Sequence, residues 1–512
     1  MTVAVVDRPA GSALQSLRSD LGILCAIALA KLLLHIWTNG AYGFHRDELP
    51  MLDDARNLDW GFVAYPPVTP AIARVALSLF GPSLAALRSF AAAAQSVAMV
   101  LAALIARDLG GRRFAQIVAA VAVAISPISW AASTTFEYVT FDFLWWVLLA
   151  WLVVRLIVTG NDRWWVPIGV VIGVGMMTKY TMGFYALGIA AGVLLTPMRR
   201  CLRSRWLWIG AALSVLIFLP NLLWQVKHQF ISLEFLRSIH ARDVRIGRTD
   251  GFFLDQLRVA SNPITVPLWI AGLWFFLVSE RGRSFRMLAW MALVPLALFV
   301  VAKGRGYYTG PLYPMLLAGG AVCLEQWLNT TSRIRRRMFQ AATWVLLAAG
   351  SGIALLIGPY APVNSQWWKV ASSINSDLPE EIGWPELVRT VAGVYRRLPP
   401  DQRGRTGVFA DNYGEAGAMH LYGPAWGLPH AISGTNSYWL RGYGNPPPQN
   451  LIMVGAQIDD ARKVFRQCDV VAHITNAYGV RNEETSRHPD VLLCRGLIPS
   501  WPSLWPLAKR FG

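Results

Sequence analysis

Charge is what this sequence has least of. Only 15% of its 512 residues are Asp, Glu, Lys or Arg, against about 25% in soluble domains. Acids are the scarcer sign, 30 beside 47 Lys and Arg. Signatures of soluble nucleotide enzymes are missing too, since neither a Walker loop nor a dinucleotide fingerprint occurs. The string HRDE at 45–48 has the start of a protein-kinase catalytic loop, but that loop needs Asn five residues after the Asp, where Leu52 stands. No nucleic-acid motif accompanies the net charge of +17, so nucleic acid is not expected as a partner. No A-x-A site closes the first apolar run, which reads as a retained span and not a cleaved signal. A closed metal-ligand set is also lacking. His45, Asp47 and Glu48 offer nitrogen and oxygen but are near-adjacent, which leaves cofactors open, a divalent metal included.

What is abundant is apolar surface. Hydrophobic residues make up 54% of the chain, with 23 Trp among them, and mean hydropathy is positive. Runs long enough to span a bilayer fall near 21–38, 86–106, 115–131, 143–158, 165–178, 181–196, 207–222, 264–279, 287–302, 311–328 and 339–358. They predict an α-helical polytopic membrane protein of about eleven transmembrane helices. The pair at 165–196 is the one place where a single helix could be hidden. The connections RDLGGRR (107–113), GNDR (160–163), MRRCLRSR (198–205), RGRSFR (281–286) and RIRRR (333–337) are Arg-rich and fall on one side. The positive-inside rule makes that side cytoplasmic, the N-terminus with it.

Residues 1–358 are therefore expected to form the membrane domain and 359–512 an extracytoplasmic one. In the latter, apolar runs shorten to strand length at TGVFA (406–410), LIMVG (451–455), DVVAHI (469–474) and VLLC (491–494). EAGAMHLYG and IDDARKVFRQ between them read as helices, which suggests a small α/β domain. Cys468 and Cys494 lie here, either as a disulfide in an oxidising compartment or as two buried thiols.

The unusual polar residues gather on the expected outer side. The first outer loop, 39–85, holds His45, Arg46, Asp47 and Glu48. They form either a polar helix start or an active centre, with Asp47 as general base and Glu48 and His45 assisting. TTFEYVTFDF (134–143) puts Glu137 and Asp142 at the next outer turn, as caps or as substrate ligands. Lys179 in MTKYT is nearly alone among apolar residues, so it either snorkels or holds an anion. KGRGYYTGPLYP (303–314) offers Lys303 and Arg305 with Tyr307 and Tyr308, suited to a phosphate or to an interfacial belt. PNLLWQVKHQF (220–230) carries Gln225 and His228 and leads into Arg237, His240, Arg242, Arg245 and Arg248. That segment either lies on anionic lipid or touches a ligand. Prolines in AYPPVTP (64–70) stiffen the first loop, with Tyr65 as a wall residue.

Acids in a first outer loop, cations at outer helix ends and a terminal outer domain resemble the GT-C membrane glycosyltransferases. More closely, HRDELPMLDDARNLDWGFVAYPPVTP is similar to the first-loop signature of bacterial relatives of the dolichyl-phosphate-mannose–protein mannosyltransferases and of the aminoarabinose transferases that modify lipid A. GVGMMTKYT, NLLWQVKHQF, KGRGYYTGPLYP, FADNYGEAGAMHLYG and SGTNSYW resemble the same group. The resemblance implies a multi-pass protein of the bacterial inner membrane that uses a polyprenyl-phosphate-sugar donor outside the cytoplasm. It implies an inverting transfer to a glycolipid, glycan or protein acceptor. Asp47 matches the first-loop acid, with Glu48 beside it, Glu137 or Asp142 the second-loop acid, and Lys179 and the Lys303/Arg305 pair the phosphate cations. Protein mannosyltransferases show Asp-Glu without the His-Arg prefix and carry lumenal repeats absent here, which weakens the case for a protein acceptor. The rival is a flippase of lipid-linked sugars. Transporters tend to show inverted repeats and midplane charges, which this sequence does not.

Overall fold

The computed structural model describes residues 10–512. The segment before residue 10, expected on the cytoplasmic side, lies outside the described residues. A helix occupies each of the eleven expected spans. Fewer are continuous spans than the hydropathy suggested. Six helices among the described residues are long and apolar enough to cross a membrane, and three further pairs are bent by 60°, 101° and 90°. Each bent pair breaks before a proline, namely Pro127, Pro197 and Pro263 at the start of the following helix. Proline gives up no bond at a helix start but cannot continue the turn before it. The run 165–196 is two helices, Trp165–Met176 and Met182–Leu195.

Small residues let the bundle close. A Cβ on Gly169 of Trp165–Met176 would collide with the Gly210 backbone of Arg205–Lys227, so these two helices touch main chain to main chain, as membrane helices often do. The bundle core is built from Ala, Val, Leu and Met, with Trp146 stacked on Tyr185 at 4.3 Å.

The C-terminal region carries a five-stranded sheet: β1 Thr406–Ala410, β2 Ala431–Ile432, β3 Asn450–Val454, β4 Phe465–His473 and β5 Asp490–Leu497. The order is β2-β1-β3-β5-β4. β1 runs parallel to both neighbours, while β5 is antiparallel to β3 and β4. The segment expected as a helix through Gln467 stops at Val464 and turns into β4. Cys468 and Cys494 face each other across β4 and β5 in a disulfide.

One apolar core joins the sheet region to the first loop. Leu49, Met51, Leu52 and Ala55 of the helix Glu48–Arg56 pack with Leu387, Val388 and Val391 of Trp384–Arg397 and with Val408 and Ile452 of the sheet. This core fixes the HRDE segment between the bundle and the C-terminal domain.

Candidate functional site

The four residues of HRDE divide sharply. Glu48 is fully buried and points inward. Arg88 holds it through Nε and Nη2 at 2.8 and 2.7 Å, and the backbone N–H groups of His45 and Phe136 donate to it at 2.7 and 2.8 Å. Arg88 also reaches Glu381 at 3.3 Å and the carbonyls of Asn39 and Gly43. Glu48 is thus a strut that ties the first loop to the bundle and to the 134–137 turn. It does not line the cleft, so its expected assisting role finds no geometric basis.

Asp47 faces the other way, with its side chain 41% exposed. His45 Nδ1 lies 3.9 Å from Asp47 and 3.7 Å from Glu137. Burial opposes charge on His45, but Asp47, Asp377, Glu137 and Glu381 outweigh it and lift the imidazole from 6.5 to about 9. The Asp47 N–H also points at Nδ1 from 3.3 Å, which favours a neutral ring. That contact is worth on the order of 1 kcal/mol, and the four carboxylates decide. Burial and the neighbouring Asp47 raise Glu137 above the usual carboxylate range. Ligand atoms of His45, Asp47 and Glu137 lie within 4.8 Å of one another. Among the described residues these three, with Glu137 in place of Glu48, are the set that could hold a divalent cation, in competition with the proton on His45.

Arg46 turns to the C-terminal domain, 2.5 Å from Glu483, 3.2 Å from Glu484 and 3.8 Å from Glu380.

A cleft of about 1540 Å³ runs from this centre to the cations expected from the sequence. Among its walls are His45, Asp47, Tyr65, Glu137, Tyr138, Lys179, Arg305, Tyr307 and Tyr308. Lys179 is buried inside a cage of rings, 4.3 Å from Tyr308, 5.5 Å from Tyr138 and 5.9 Å from Tyr307. Asp142 sits behind it at 3.9 Å, itself held by Thr181 and Trp146. Arg305 Nε and Nη2 lie 2.6 and 2.5 Å from Asp243. Lys179, over the tyrosine rings, and Arg305, 3.4 Å from the Tyr307 hydroxyl, both open to this one cleft.

Other expected residues fall outside the cleft wall. Lys303 is exposed, at φ 46°. Gln225 bonds Tyr180 and Ser232, and His228 stacks on Trp224 at 4.1 Å, so both serve packing. Sequence reading missed Tyr138, next to Glu137 in the quoted run, and Asp243 among the arginines that follow His228. It also missed Arg88, a single charge inside an apolar helix, whose isolation was the available signal. Tyr65 donates to Asp54 at 2.7 Å, and Arg441 of the C-terminal domain pairs with the same carboxylate.

The overall arrangement has counterparts of known structure. ArnT from Cupriavidus metallidurans superposes with a TM-score of 0.58 in its apo state, at 13% identity, over 92% of this chain and 97% of that one. The same protein bound to undecaprenyl phosphate gives 0.53 at 14% identity, with the same coverage. The chain shares the fold of ArnT. Residues 64–224 match the family described as dolichyl-phosphate-mannose-protein mannosyltransferase. Lipid A galacturonosyltransferase RgtD of Rhizobium johnstonii is 30% identical over 141 residues, which are 26% of this chain. The matched stretch spans 28% of that relative's length.

Proposed function

We propose that this GT-C chain is an inverting glycosyltransferase that moves a sugar from a polyprenyl-phosphate donor to a hydroxyl acceptor on the extracytoplasmic side of a bacterial inner membrane. One observation carries the proposal: a single cleft joins a buried cation, Lys179, and a half-buried one, Arg305, to an exposed carboxylate, Asp47. The donor phosphate lies on the cations and on the hydroxyls of Tyr307 and Tyr308. Asp47 takes the proton from the acceptor hydroxyl as its oxygen attacks the anomeric carbon. The bond from that carbon to the phosphate oxygen breaks, and the polyprenyl phosphate leaves with its charge stabilised by Lys179 and Arg305. A single displacement inverts the anomeric configuration. His45, held as imidazolium, keeps Asp47 and Glu137 together against their mutual repulsion.

The similar proteins support this chemistry, since they include a mannosyltransferase family, a galacturonosyltransferase and a protein bound to undecaprenyl phosphate. The Cys468–Cys494 disulfide supports an oxidising compartment for the C-terminal domain. The acceptor class is a glycolipid, a glycan or a protein.

Purified protein is incubated with undecaprenyl-phosphate-linked mannose, galacturonic acid and aminoarabinose and with candidate acceptors. Transfer by the wild type with inverted product, lost in Asp47→Asn while undecaprenyl phosphate still binds, is the expected result. Transport of the intact donor across vesicles without transfer would establish the flippase instead.

A further inference from the structure

The helix Gln366–Ile374 opens the C-terminal region and has three distinct faces. Ser365 caps its start, accepting from the Trp368 N–H at 3.1 Å. Trp368 and Ala371 are buried, Trp368 against Ala361, Ile382 and Val480. Gln366, Lys369 and Ser373 form an exposed polar face. Between these two stand Trp367, Val370 and Ile374, which are 42%, 49% and 60% exposed. At about 100° per residue the three fall within an arc of about 60°. The level of the helix follows from the last span, Arg333–Leu356. That span begins with Arg333, Arg335, Arg336 and Arg337, all exposed. From Met338 to Leu356 it rises about 29 Å at about 1.5 Å per residue, close to the roughly 30 Å hydrocarbon core of a bilayer. With the arginines at one boundary, Leu356 stands at the other. The Asn375 side chain, directly after the helix, donates to the Ile357 carbonyl at 3.0 Å. The helix is thereby tied to the outer boundary. Ile353 of the span and Ile374 of the arc are both exposed and both border the cleft, so the apolar surface of the span runs on into the arc.

We propose that Gln366–Ile374 is an interfacial helix whose partner is the lipid surface. Trp367, Val370 and Ile374 enter the outer leaflet, and Lys369 stays among the headgroups on the polar side. A tryptophan beside aliphatic residues suits this depth, because the indole is apolar in body and polar at its N–H. The consequence reaches the site. Ile374, Asn375, Ser376 and Asp377 line the cleft, so the leaflet holds that wall of the C-terminal domain at the height of the bilayer surface. The inference rests on the membrane placement of the bundle and not on the chemistry assigned to Asp47.

The test uses full-length protein in nanodiscs of phosphatidylethanolamine and phosphatidylglycerol. A nitroxide is attached at Val370→Cys, on the arc, and at Lys369→Cys, on the polar face. Wild type treated alike corrects for label taken up by Cys25, Cys201 and Cys323. Collision of the label with oxygen, which concentrates in the bilayer, is compared with collision with a water-soluble nickel chelate. The oxygen-to-nickel ratio should be several-fold higher in Val370→Cys than in Lys369→Cys. Leu346→Cys, on the exposed side of the last span, sets the value for a site facing lipid. Equal ratios in Val370→Cys and Lys369→Cys, with Leu346→Cys reading as lipid, overturn the proposal and spare the membrane placement of the bundle. Poor access of both reagents in Val370→Cys puts a protein surface on the arc, such as a second copy of this chain, and also overturns it. A label at Leu346→Cys that collides mainly with nickel overturns the placement and the proposal together.

Discussion

Glu48→Gln separates a strut from a catalytic acid. Glu48 and Arg88 are each fully buried. The carboxylate of Glu48 receives four donors: two from Arg88 and the backbone N–H groups of His45 and Phe136. Glutamine keeps one oxygen and turns an N–H₂ group toward donors. Breaking a buried pair costs about 3–5 kcal/mol, because the remaining charge stays buried. Glu381, 3.3 Å from Arg88, absorbs part of that, which points to the lower end, about 3 kcal/mol. The assay is unfolding of full-length protein in detergent for Glu48→Gln, Arg88→Met and the double variant. The double variant should lose clearly less than the sum of the singles, since each single already removes the shared pair. A Glu48→Gln protein that unfolds like the wild type but loses kcat by orders of magnitude would refute this reasoning and return Glu48 to the chemistry.

Further outcomes follow from the same geometry. The folded state raises His45 from 6.5 to about 9. Its stabilising charge is thus fully present below about pH 6.5 and lost as pH rises through about 9. Melting curves across that range should fall, and His45→Gln should flatten the fall. Lys179→Ala should weaken binding of undecaprenyl phosphate by about tenfold or more, equivalent to at least about 1.4 kcal/mol. Lys303→Ala, at an exposed position outside the cleft, should leave that affinity unchanged. The Cys468–Cys494 bridge closes a separation of 26 residues, worth about 3.5 kcal/mol by the loop-entropy relation. Cys494→Ser should make the C-terminal domain measurably easier to digest by protease.

The sequence made the membrane bundle legible because hydropathy is a local property. Each of the eleven runs is helical, the one at 115–131 as a bent pair. Their breaks were also written locally, in Pro127, Pro197 and Pro263, but length alone favours reading through them. At the site, Lys179 was found by its isolation among apolar residues, and His45, Asp47, Glu137 and Arg305 by their gathering in the outer loops. What stayed hidden was direction. Neighbours Asp47 and Glu48 look alike in a string, and only Arg88, forty positions on, decides which one faces the cleft. Lys303 and Arg305 differ in the same way, because Asp243 holds one and no ion pair among the described residues draws the other inward. Tyr413 and Glu483 reach the first loop from more than 350 positions away. No periodicity or spacing announces such pairs.

The most direct measurement is a density map of the full-length protein with undecaprenyl phosphate. The phosphate should lie within hydrogen-bond distance of Lys179 and Arg305, in the cleft that Asp47 faces. A phosphate bound at Lys303, or anywhere the cleft does not connect to Asp47, would contradict the assignment.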